Sequence, residues 1–319
     1  MLKTLVDRIL LRFGYISRDR GERELNKWKT GYVPPGHYYS PLNDLNYIRS
    51  NSARLFIKEN VVLPGIDLNH KGQVDLLHNL AQYYPQIRFP EQQQAEFRYY
   101  YRNQWFSFSD AVFLTSMLLY YRPKRVIEVG SGFSSAVMLD VNERYLGNTV
   151  ELLFIEPYPE DRLTKLVRPG DRCSIKREFI QNVPLEIFDT LGENDLLFID
   201  TSHVSKTGSD VNHLLFHVLP RLKKGVLIHL HDVFYPFEYP KEWILGGRAW
   251  NEAYLVRAFL QYNAQFRLEL FTSFLEHSER AWIAQHMPLC LKRHEEWKNE
   301  NGEMFLLDTG GQSIYLRRI

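Results

Sequence analysis

The stretch Arg125-Val-Ile-Glu-Val-Gly-Ser-Gly-Phe-Ser-Ser135 constrains this chain more than any other. A run of β-type residues enters a Gly-x-Gly pair and then a helical pattern, which predicts strand, tight turn and helix N-terminus. Gly130 and Gly132 permit backbone angles that a Cβ opposes, so a ligand can approach the main chain closely. The helix behind them offers unpaired N–H groups and the positive end of its dipole.

From this point strands and helices alternate. Arg125–Val129, Val150–Glu156, Asp195–Asp200 and Val226–His231 read as strands, and Cys173–Lys176 as a short edge strand. Between them Ser134–Tyr145, Glu160–Val167, Val183–Leu191 and Asp210–Leu222 read as helices. That order predicts an α/β fold with a doubly wound, mostly parallel sheet and right-handed crossovers. Ligands of such sheets bind beyond the carboxyl ends of the strands. Four of those ends deliver Glu128, Glu156, Asp200 and His231-Asp232 to one rim.

The same turn serves many nucleotides, and the choice among them rests on what it repels. A dinucleotide fingerprint requires a third glycine and places a pyrophosphate at the turn. Here Ser135 holds the third position and the carboxylate of Glu128 lies two residues before Gly130. A zwitterionic, phosphate-free ligand such as S-adenosylmethionine fits better than NAD. Glu128, Gly130, Ser131 and Gly132 are therefore expected around that cofactor, with Glu156 accepting the ribose hydroxyls and Asp200 near the reacting methyl group. An NAD-binding oxidoreductase, or a non-catalytic protein that keeps the cofactor pocket, is the alternative.

At the rim, Asp200-Thr-Ser-His203 and His231-Asp232 carry the chemistry. Asp200, His231 and Asp232 offer oxygen and nitrogen ligands to one divalent ion such as Mg2+. Without a metal, His203 is the expected general base, because a neutral imidazole titrates near physiological pH. The catalytic expectation is thus His203, Asp200 and His231. An aromatic run follows, Phe234-Tyr-Pro-Phe-Glu-Tyr239, with Trp243, Trp250 and Tyr254 beyond it. It reads either as an acceptor pocket with a lid hinged at Gly246-Gly247 or as a fixed subcore.

Composition narrows the partners. A net charge of +1 gives no general attraction to nucleic acid. Two cysteines, Cys173 and Cys290, make neither a disulfide framework nor a zinc site, and a reducing, cytoplasmic location is the default. Residues 1–13 place Leu2, Leu5, Val6, Ile9, Leu10 and Phe13 on one helical face, suited to packing on the body or to weak contact with a membrane or partner. Residues 1–95 are expected to form a helical and loop extension, and 96–319 the catalytic domain. The oligomeric state is not encoded in any of these patterns.

Four blocks together resemble the class I S-adenosylmethionine-dependent methyltransferases of methyltransferase family 24: V-I-E-V-G-S-G-F-S-S, F-I-E-P-Y-P, L-F-I-D-T-S-H-V and H-D-V-F-Y-P-F-E-Y-P. The resemblance spans about Phe106 to Phe274. It implies a seven-stranded Rossmann-like sheet whose last strand is inserted antiparallel, for which Phe266–Phe274 and Ser313–Arg318 are the remaining strands. It implies that the helix before the first strand borders the cofactor, which adds Asn103, Ser107 and Asp110 as candidates. It implies O-methylation of a small molecule, a sugar, glycan or secondary metabolite. Metal-dependent catechol-type relatives place an acid where this chain has His231.

Overall fold

Seven strands form one sheet in the order β3-β2-β1-β4-β5-β7-β6 in a computed structural model of the chain. The structure describes residues 21, 32–59, 61–103, 105–160, 162–293 and 310–319. The apolar helical face of residues 1–13 falls outside them. β1 (Arg125–Val129), β2 (Glu151–Ile155), β3 (Cys173–Lys176), β4 (Leu196–Ile199) and β5 (Leu227–His231) run parallel. β7 (Ser313–Arg318) inserts antiparallel between β5 and β6 (Phe266–Phe271). The doubly wound, mostly parallel seven-stranded sheet and the antiparallel insertion are as the sequence implied.

β4 is buried at every residue and β5 likewise, which is what a central strand covered on both faces requires. The strand order reverses between β1 and β4, so a crevice opens at their carboxyl ends.

Contacts divide the chain into two units: Ile57–Pro240 with Trp250–Ile319, and Met1–Phe56 with Lys241–Ala249. The first contains the whole sheet. The division falls after Phe56 rather than at residue 95, because the helix α1 (His70–Ala81) is tied to β6. Gln73 on α1 accepts a hydrogen bond from the Phe271 N–H at 2.7 Å, and Asn69 donates to the Leu268 carbonyl at 3.0 Å. Within the second unit, Asp44 caps the helix Leu45–Ser50 by accepting from the Asn46 and Tyr47 N–H groups. The Arg248 guanidinium lies 3.9 Å over the Trp243 ring.

Several helices are shorter than their sequence patterns. The Asp210–Leu222 pattern is α-helical only over Asp210–His213, widens to a π turn at Leu214–Val218, and ends in a 3-10 turn at Leu219–Arg221. Pro220 has no N–H and its ring crowds the carbonyl one turn back, so a regular α-helix cannot run through it. Of Val183–Leu191, Leu185–Thr190 forms a 3-10 helix that starts after Pro184. Among the described residues of Glu160–Val167, only Leu163–Leu166 is helical. β6 stops at Phe271, where a helix begins at Thr272.

Candidate active site

The crevice begins at Gly130. Its φ is +79°, and a Cβ there would stand 1.6 Å from the carbonyl oxygen of Asp200. The end of β4 thus crosses directly over the turn, and only glycine leaves room for it. The helix α2 (Phe133–Tyr145) starts behind the turn.

Glu128 lies beneath this turn, fully buried. Its carboxyl accepts hydrogen bonds from the Ser134 hydroxyl at 2.6 Å and from the Ser135 hydroxyl. Ser135 Oγ in turn accepts the Gly132 N–H at 3.0 Å. Glu128 and the serine in the third glycine position therefore fasten the turn to the helix start. Burial pushes the Glu128 carboxyl up to about 8 against these hydrogen bonds. Glu128 lines neither lobe of the crevice.

Two neighbouring lobes of about 380 and 180 Å3 share Gly130, Glu156 and Asp200 in their walls. Glu156 Oε2 accepts the Ser131 N–H at 3.2 Å and Oε1 the Tyr158 N–H at 2.9 Å. The larger lobe continues past Phe179 and Gln181; the smaller holds Ser131, Gly132, Trp105 and Arg162. Sequence reasoning missed Trp105 and Arg162. Neither sits in a motif, and both reach the crevice from loops.

Ser107 and Asp110 do not line it. Ser107 is the buried residue preceding the helix Phe108–Tyr121. Asp110 accepts the Gln312 N–H at 3.1 Å and the Ser313 hydroxyl at 2.6 Å, so it pins β7. Asn103 is also structural: its amide bonds the carbonyls of Tyr100 and Phe106.

His203 is the centre of the acidic side. Nδ1 lies 2.8 Å from Glu252 Oε2; Nε2 lies 3.2 Å from Asp200 Oδ1 and 3.4 Å from Asp232 Oδ2. Carboxylates only accept, so both ring nitrogens must donate and the ring is held as imidazolium. Burial alone would lower its pKa; hydrogen bonds to Asp200 and Glu252 and the charge of Asp232 hold it well above the ordinary range. This differs from the neutral base expected of His203. The backbone is equally constrained. His203 and Asp232 both sit at φ +57°, an unfavourable conformation for such residues. The His203 carbonyl accepts the Asn251 and Glu252 N–H groups at 3.0 and 3.1 Å, at the start of the helix α3 (Glu252–Leu260). Trp250 packs on the imidazole at 4.3 Å between centroids.

Asp200 stays ionised. Burial would raise its pKa, but the cations of His231, His203 and Arg162 bring it below the usual carboxylate range. His231 is not part of the cluster that Asp200, His203 and Asp232 form. Its ring is buried against Phe106 at 5.2 Å and stacks on His229 at 5.7 Å, and its Nε2 is 3.8 Å from Asp232 Oδ1. His203 thus takes the place expected of His231 in the donor set for a divalent ion. The donor types suit such an ion, but a ligating imidazole must offer it a lone pair. Each His203 nitrogen faces a carboxylate, so an ion could use this donor set only by displacing the Nε2 proton while Nδ1 keeps its bond to Glu252.

The aromatic run after β5 is mostly core. Phe234, Tyr235, Phe237 and Tyr239 are buried, and the Tyr239 hydroxyl accepts the Ala253 N–H at 3.0 Å.

The geometry agrees with what the chain is similar to. A profile for the methyltransferase domain matches residues 127–233, which hold Gly130, Glu156, Asp200, His203 and Asp232. An uncharacterized protein of Archaeoglobus fulgidus is 32% identical over 200 residues, 61% of this chain and 89% of its own length. The chain belongs to the class I S-adenosylmethionine-dependent methyltransferases. Solved structures similar to this methyltransferase include the Podospora anserina methyltransferase PaMTH1 bound to S-adenosylhomocysteine, at 15% identity and TM-score 0.39, covering 91% of this chain and 99% of that one. An O-methyltransferase from Bacillus cereus, also with S-adenosylhomocysteine, aligns at 12% identity and TM-score 0.38 over 86% and 97%.

Proposed function

We propose that this methyltransferase transfers a methyl group to a hydroxyl oxygen of a small molecule, and that Asp200 takes the proton. The observation that carries the reading is the wedge of His203 between Asp200, Asp232 and Glu252 beside the crevice. It holds Asp200 as a fixed carboxylate at the junction of both lobes. In this reading Glu156 accepts the ribose hydroxyls, and the Gly130–Gly132 turn receives the amino-acid end of the cofactor. The acceptor oxygen attacks the methyl carbon in line. The O–C bond forms, the S–C bond breaks with its electron pair going to sulfur, and the hydroxyl proton passes to Asp200. Positioning of the two reactants supplies much of the effect.

His203 positions Asp200 and supplies the cationic charge that a divalent ion would otherwise bring. A sugar, glycan or secondary metabolite is the acceptor class, since a net charge of +1 does not favour nucleic acid. The cysteines Cys173 and Cys290, both unbridged, support a cytoplasmic setting.

The test uses methyl-labelled S-adenosylmethionine with a panel of sugars and phenols. Asp200→Asn should keep cofactor binding and lose roughly 100-fold or more in turnover. Excess chelator should leave wild-type turnover unchanged. Transfer to nitrogen or carbon, or activity lost to chelator and restored by magnesium, refutes the proposal.

A further inference from the structure

The smaller lobe holds a cation that the proposed transfer does not use. Arg162 lies in the segment between β2 and the short helix Leu163–Leu166, and its guanidinium carbon stands 4.8 Å over the Phe133 ring and 5.9 Å from the Trp105 ring. Its Nη1 rests over Gly132, 3.1 Å from where a Cβ would be. Among the described residues no carboxylate or carbonyl accepts a hydrogen bond from this guanidinium. A half-buried arginine held by contacts with two aromatic rings keeps its planar fork of donors available.

The charges around it are of both signs. Arg162 Nη1 lies over Gly132 at the turn, and the carboxylates of Glu156 and Asp200 also line the lobe. His203, Asp232 and Trp250, the acceptor side, do not line this lobe. A ligand matching these groups has an anion at the glycine turn, hydroxyls at Glu156 and a cationic centre near Asp200. We infer that Arg162 clamps the carboxylate of the cofactor's methionine moiety through its guanidinium fork. The inference rests on the proposed use of S-adenosylmethionine and adds which residue holds its anionic end. An arginine is suited to this because two parallel N–H groups match the two oxygens of a carboxylate. The neighbouring Phe133 and Trp105 rings hold the guanidinium near the turn before the ligand arrives.

Calorimetry on the full chain separates this role from others with two ligands. S-adenosylhomocysteine carries the carboxylate; 5′-methylthioadenosine has the same nucleoside and a thioether but no amino-acid group. Arg162→Gln should weaken S-adenosylhomocysteine by about 30-fold, the scale of a charge-assisted hydrogen bond, and leave 5′-methylthioadenosine unchanged. Arg162→Lys, which keeps the charge and loses the fork, should fall between. An unfolding midpoint close to wild type checks that Arg162→Gln folds. Equal weakening of both ligands would make Arg162 a structural residue, and unchanged S-adenosylhomocysteine affinity would remove it from the cofactor site; either overturns the inference. Wild-type protein that binds neither ligand would instead overturn the cofactor reading on which it rests.

Discussion

Replacing Gly130 by alanine tests the construction of the crevice directly. The new Cβ would lie 1.6 Å from the Asp200 carbonyl oxygen, and the nearest atoms are backbone, so no side chain can swing away. The peptide of Asp200 must retreat by roughly 1.5–2 Å to reach ordinary contact, or the turn must open by as much. The positive φ of +79° adds the penalty of a left-handed alanine, about 1–2 kcal/mol. The retreat also strains the Asp200 N–H bond to the Val129 carbonyl, now 2.9 Å, worth about 1 kcal/mol. Together with the packing lost at the strand end, a loss of about 3–5 kcal/mol is expected. Gly147→Ala supplies the control. It has a similar φ of +64° but nothing within 4 Å of the new Cβ, so it should cost only the left-handed penalty. Urea unfolding of the two variants, with titration of S-adenosylhomocysteine, gives both numbers. If Gly130→Ala is no less stable than Gly147→Ala and still binds the cofactor product, the account of the crevice is wrong.

Three further outcomes follow from Glu128, Tyr239 and Trp250. The folded-state pKa of Glu128, near 8, lies above its unfolded value, so the folded protein binds more protons between the ordinary carboxyl range and pH 8; stability should fall as pH rises through that window. Glu128→Gln should flatten this dependence, and unfolding midpoints at pH 5.5 and pH 9 that change alike in both proteins would contradict it. Tyr239→Ala should lower stability by about 3–5 kcal/mol as a core truncation. Trp250→Ala should mainly lower turnover by freeing His203; normal stability of the Tyr239 variant with reduced acceptor turnover would return the aromatic run to the acceptor pocket.

The sheet was legible because β1, β2, β4 and β5 are apolar runs ended by acids, and because Gly130 sits at a turn whose chemistry is local. Glu156 and Asp200 follow from that register. What escaped is built from distant pieces. Glu252 reads as an ordinary first-turn helix acid, yet it is buried against a histidine forty-nine positions earlier. Arg162 has no motif around it. Arg98, almost fully buried, pairs with Asp140 at 2.9 Å across another long separation. Asp110 illustrates the reverse error: its position on the helix before β1 matched the family pattern, but its side chain turns toward β7. Periodicity assigns a residue to an element and a face; it does not say which far segment will meet that face.

The antiparallel strand β7 has a consequence for synthesis on the ribosome. β5 and β6 are made first, but neither touches the other in the finished sheet; each waits for the strand that separates them. Residues 272–312 must be translated before that strand emerges. At ~5–20 residues per second this interval lasts a few seconds, with one edge of β5 and both edges of β6 unpaired. Exposed apolar edges of this kind invite pairing with a neighbouring nascent chain. A synonymous slow patch within 272–312 should therefore lower the soluble yield more than the same patch placed before β5, although the finished polypeptide is identical.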